Sequence, residues 1–177
     1  MRKPYILFLI ISIIGLVSCG ISQLNSNSIN HPNAKTGFAI YLLASDSRPQ
    51  QLPLLSHLVL EQDPLLAADD IMYYHKATHE IELTTTGYEI IHNLQVPVHG
   101  KAFAICIDGQ PIYTGAFWAD YSSVSYDGII INTTQVIKGN PVIQVSLGYP
   151  DSTYFHGTDP RSDPRIFQAL EAVGKLK

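Results

Sequence analysis

The chain has 177 residues and a formal net charge of −4, with no run of Lys or Arg, which argues against a nucleic-acid partner. Two cysteines, Cys19 and Cys106, are too few for a disulfide framework, and no sequence pattern implies a cofactor.

Arg2 and Lys3 precede Ile6–Val17, an apolar run of 12 residues. A charged start and a short apolar core make an export signal, since a membrane span needs about 20 apolar residues. The run ends in Leu16-Val17-Ser18-Cys19, which resembles the lipobox of bacterial lipoproteins. That resemblance implies a diacylglyceryl group on the Cys19 thiol, cleavage ahead of it, and attachment to the membrane through lipid. Gly20 stands where the inner-membrane retention signal of such proteins is Asp, which favours the outer membrane in a two-membrane organism. Removing residues 1–18 leaves 159, room for one domain with a real core, and a balance of 9 basic against 15 acidic side chains.

Residues 20–36 are polar and rich in Ser and Asn, and read as a tether between lipid and domain. The single domain then spans 37–177. Gly37–Leu43 reads as a strand, Ser45–Pro53 as a loop, Leu58–Glu61 as a short strand and Pro64–Ile71 as a turn in which Asp69-Asp70 can start one helical turn. Thr78–Leu83 alternates polar and apolar residues, a half-buried strand with Ile81 and Leu83 facing in. Thr86-Gly-Tyr-Glu89 matches a capping box and predicts a helix to about Asn93. Strands follow at Lys101–Asp108 and Gln110–Tyr113, joined at Asp108-Gly109, then at Gly128–Asn132 and Val142–Leu147. Asp163-Pro164 predicts a last helix, with Ile166, Phe167, Leu170 and Val173 on one face and Gly174 ending it. The fold class is α+β, a mostly antiparallel sheet with two helices.

Residues 58–147 resemble the periplasmic head subdomain of SecD, an accessory subunit of the Sec export machinery. The resemblance rests on Asp70-Ile71, on Glu80-Ile-Glu-Leu-Thr-Thr-Thr-Gly-Tyr-Glu leading into a helix, on Gly100-Lys-Ala-Phe-Ala-Ile-Cys-Ile-Asp-Gly-Gln-Pro-Ile, and on Gly128-Ile-Ile-Ile. It implies a head-like domain reused for binding or scaffolding. The six membrane helices that couple SecD to proton flow have no counterpart in these residues, and 113–127 and 148–161 do not fit the family pattern.

Candidate chemistry is sparse. His75 and His79 are four apart, a metal-sharing spacing on a helix, but they fall in a bend leading into a strand, so no metal site is expected. Asp120, Ser122, Ser123 and a histidine could serve a hydrolase, yet no Gly-x-Ser-x-Gly elbow exists. Glu80 and Glu82 would share one solvated strand face, and Cys106 lies in an apolar strand as a small hydrophobe. Asp159-Pro-Arg161 and Asp163-Pro-Arg165 read as turn and cap chemistry. The aromatic set Tyr113, Phe117, Trp118, Tyr121 and Tyr126 offers stiff contact surface in a loop, or else a plug for the core. The expected function is a non-enzymatic, lipid-anchored binding module of the cell envelope with a protein partner there. Its rival is a small envelope hydrolase using polar residues of the 113–127 loop.

Overall fold

Strand β1 (Phe38–Leu42) has four of its five residues buried, which requires cover on both faces, and the rest of the fold supplies it. The computed structural model describes residues 36–44 and 48–177; the signal segment, Cys19 and the tether up to residue 35 lie outside the described residues. After β1 come β2 (Leu66–Ala67), β3 (Ile71–His75), β4 (Glu80–Leu83), helix α1 (Thr85–His92), β5 (Lys101–Ile107), β6 (Gln110–Trp118), β7 (Tyr126–Asn132), β8 (Val142–Tyr149) and helix α2 (Pro164–Ala172). They form one curled eight-stranded sheet in the order β2-β1-β5-β6-β7-β8-β4-β3, and the class is α+β.

Every neighbouring pair is antiparallel except β6 and β7, which run parallel with Gly115 opposite Ile129 and Trp118 opposite Asn132. Parallel neighbours usually need a crossover of about a dozen residues or more, most often a helix. Here residues 119–125 make the return alone. From the end of β6 back to the level of Tyr126 is about 20 Å at 3.3 Å per residue, so the segment has little slack. It crosses the face of the sheet opposite the helices, where Tyr149 Oη donates to the carbonyls of Asp120 and Ser122.

The main core lies on the helix face. Phe38, Ile40, Phe103, Ile105, Phe117, Ile129, Ile131 and Val145 pack there against Tyr88 and Ile91 of α1 and Ile166, Phe167 and Leu170 of α2. On the opposite face, Ala39, Tyr41, Ala102, Ala104 and Cys106 are covered by Leu52, Leu58 and Leu60. Beside them Ala116, Trp118, Tyr126 and Ile130 pack with Tyr149.

The sequence reading needs correcting at five places. Residues 58–61 are not a strand: only Leu60 makes a bridge, to Leu43. The expected turn 64–71 contains β2, while the helical turn expected at Asp69-Asp70 is present as a short 3₁₀ turn, Ala68–Asp70, closed by the Asp70 carboxylate accepting from the Ala67 N–H at 2.8 Å. The expected bend at 74–79 is confined to 76–79, because Tyr74 and His75 are the last two residues of β3. The fourth strand starts at Glu80, because His79 takes a positive φ of 58° and turns the chain. Helix α1 starts earlier than the capping box implies: Thr84, not Thr86, is the cap, its hydroxyl accepting from the Gly87 N–H at 3.1 Å. The Asp108-Gly109 hairpin and the Asp163-Pro164 helix start are as expected, with Asp163 accepting from the Arg165 N–H at 2.9 Å.

Candidate functional site

The aromatic set does not form a contact surface. Residues 113–118 belong to β6, a central strand covered on both sides, so Tyr113, Phe117 and Trp118 are buried, as is Tyr126 at the start of β7. Tyr113 and Phe117 face the helices, and Trp118 and Tyr126 stack on the other side. Only Tyr121, in the crossover, is exposed, at 63% of its surface, and its hydroxyl donates to the Val96 carbonyl. The loop reading failed because a strand buried on both faces loses the alternation by which strands are recognised.

Two polar residues of the crossover, Asp120 and Ser122, are engaged in holding it. Ser122 Oγ donates to the Val98 carbonyl at 2.5 Å and accepts from the Val124 N–H at 3.2 Å. Asp120 Oδ1 accepts from Asn132 Nδ2 at 2.5 Å and from Gln135 Nε2 at 3.4 Å, and these bonds, Asn132 first, hold its carboxyl below the usual range. Asp120, Asn132 and Gln135 line a polar cleft of about 570 Å³ together with Tyr149, Asp151 and Arg161. Among the described residues, none of the hydrogen bonds of Ser122 or Asp120 runs to a histidine.

His75, at the end of β3, and His79, closing the turn 76–79, point to different surroundings. His75 Nε2 bonds Glu82 Oε1 at 2.5 Å on the outer face. His79 is buried, with Nδ1 at 2.9 Å from Tyr74 Oη. Burial, and then the Arg161 guanidinium nearby, lower the His79 pKa, partly opposed by Asp159. Arg161 fixes this corner: Nη1 donates to the Val145 carbonyl at 2.7 Å, while Nε and Nη2 grip Asp159 at 2.9 and 2.8 Å. Among the described residues no three His, Cys, Asp or Glu side chains cluster as metal ligands.

A cleft of about 660 Å³ was not anticipated from the sequence. It lies beside β3, β4 and the start of α1, lined by Met72, His75, Glu82, Thr85, Tyr88 and Lys138. The Glu82 carboxyl is held below its usual range, chiefly by the His75 bond, and Lys177 Nζ stands 3.5 Å from the same oxygen. Lys177 also lies over the Tyr73 ring, 3.4 Å from its centroid. The outward alternation of Glu80 and Glu82 was the legible signal; the strand that brings His75 alongside was not recognised. A half-apolar cleft with one oriented imidazole can bind and can hydrogen-bond a ligand. Cys106 is buried in β5, and desolvation pushes its thiol up to about 12, consistent with a packing role.

No protein-family model, no curated protein and no solved structure matches the chain.

Proposed function

We propose that the chain is an exported, lipid-anchored protein of the cell envelope that binds another envelope component. One observation carries this reading: Leu16-Val17-Ser18-Cys19 directly follows a 12-residue apolar run with Arg2 and Lys3 ahead of it. Two or three acyl chains, each CH₂ contributing about 0.8 kcal/mol on burial, anchor far more firmly than one. Gly20 favours the outer membrane where the organism has one. The resemblance of residues 58–147 to the SecD head supports a binding or scaffolding role for the domain. The cleft beside His75 and Tyr88 is the concave surface that suits a bound partner, in place of the buried aromatics. The hydrolase alternative would require a base beside Ser122 or Ser123, whereas the Ser122 hydroxyl is spent on backbone groups. Metabolic labelling with a fatty-acid probe tests the anchor. The wild type takes up label and fractionates with membranes, and Cys19→Ser loses both; unchanged label in that variant overturns the reading.

A further inference from the structure

Between Arg48 and Glu61 no residue carries a full charge, and seven of the nine residues Leu52–Leu60 are Leu, Pro or Val. Leu52, Leu58 and Leu60 turn inward onto β1 and β5. Leu54 and Val59 instead expose 73% and 66% of their surface, and Leu55 exposes 41%. Soluble proteins scatter such residues singly; a concentration of them marks a surface that meets something apolar.

The register puts further exposed residues at the same end of the sheet. The Ala44 N–H donates to the Val59 carbonyl, so Val59 sits at the C-terminal end of β1. Leu42 pairs with Phe103 and Lys101 with Phe117, so that end also holds the start of β5 and the end of β6. Val98, just ahead of β5, is 55% exposed, and Tyr121, just past β6, is 63% exposed. Their segments are tied by Tyr121 Oη donating to the Val96 carbonyl and Ser122 Oγ to that of Val98.

We infer that this end of the domain, carried by Leu54, Leu55, Val59, Val98 and Tyr121, lies against the phospholipid bilayer that holds the anchor. The inference rests on the lipid-anchor reading above. Reach permits it: the chain from Cys19 to Gly37 spans at most about 60 Å, and Gly37 is about 23 Å from Ala44 along β1 at 3.3 Å per residue. The stretch 49–60, without Lys, Arg, Asp or Glu and bearing exposed leucines, suits the interfacial layer together with a tyrosine whose hydroxyl is on backbone. The charged Glu61, Lys101 and Asp120 stand at its border, at headgroup level.

The test uses the full, lipidated chain in phosphatidylethanolamine–phosphatidylglycerol vesicles, with an environment-sensitive thiol probe on Leu54→Cys or, on the exposed side of α2, Glu171→Cys. Labelling is selective because Cys19 is acylated in this reading and Cys106 is buried. Both variants float with the vesicles; the probe at 54 shifts to the blue and is quenched by headgroup-level nitroxide lipid at least twofold more than the probe at 171. Equal quenching on floating vesicles overturns the docking face and leaves the anchor standing. Failure of both to float overturns the anchor and the inference with it. A blue shift at 54 that grows with protein density and is not quenched by nitroxide lipid assigns the face to a second copy and overturns bilayer docking.

Discussion

The indole of Trp118 lies flat against the ring of Tyr126, centroids 5.3 Å apart and planes 9° from parallel. Trp118 ends β6 and Tyr126 begins β7, so this one stack closes the tight parallel crossover between them. Gly100 packs on the indole from the β5 side, where a Cβ would come 2.3 Å from a ring carbon. The contact is therefore made by three segments that the sequence separates.

Trp118→Ala should destabilise the domain by about 3–5 kcal/mol, the usual cost of emptying a large buried site. Trp118→Phe should cost less, because the buried indole N–H has no hydrogen-bond partner and its removal recovers part of the lost packing. Urea unfolding of the three proteins checks the order wild type, Phe, Ala; an Ala variant within 1 kcal/mol of wild type would remove the stack from the account of the crossover.

Gly87→Ala runs against helix propensity. In an exposed helix Ala is favoured over Gly by about 1 kcal/mol. At Gly87 a Cβ would fall 2.2 Å from the Asp70 carbonyl oxygen, a backbone atom that cannot swing away. The expected result is a net loss of about 1–3 kcal/mol, of the size seen for overpacking. A rise in the unfolding midpoint would show that α1 can shift off the 3₁₀ turn.

The start of α1 also shows where sequence reading runs out. Three threonines, Thr84, Thr85 and Thr86, stand at the start of the helix, and the Glu at 89 favours Thr86 on pattern alone. Tertiary structure selects Thr84, which accepts from Gly87 N–H and donates to the Asp70 carbonyl at 3.0 Å. Thr84→Ala should cost about 1–2 kcal/mol and Thr86→Ala, exposed, less than about 0.5. Reversal of that order in thermal melts would restore the pattern-based cap.

The two helices, the alternating strand and the Asp108-Gly109 hairpin were legible because each carries a local signal: a cap, a period or a turn. The second half of β6 was not, because Phe117 and Trp118 are buried on opposite faces and leave no alternation to read. Strand β3 was missed for a related reason: its Tyr73-Tyr74-His75 shows little hydrophobic contrast, although Tyr74 is buried and His75 reaches Glu82. Since the cleft beside His75 and Tyr88 is built on β3, missing that strand meant missing the site. The polar crossover residues were visible, but not the commitment of Tyr121 and Ser122 to backbone carbonyls.

His79 makes stability depend on pH in a window set by its own titration. Burial and Arg161 lower its pKa from the ordinary 6.5, with Asp159 opposing and Tyr74 Oη bonded to its ring. Below 6.5 the unfolded chain therefore binds a proton that the native state does not, and stability rises with pH across that interval. The contribution is complete above about 6.5 and is lost as pH falls toward the lowered folded-state value. Asp120, Asp151, Asp159 and Asp163 are all held below the ordinary 3.8, so what they contribute is lost only in more acid solution, as pH falls below about 4. Urea midpoints between pH 7.5 and 5 should thus fall for the wild type. His79→Asn, a residue that tolerates the positive φ at this position, should fall less steeply. Parallel curves for the two proteins would mean that His79 accepts its proton in the native state as readily as in the unfolded chain.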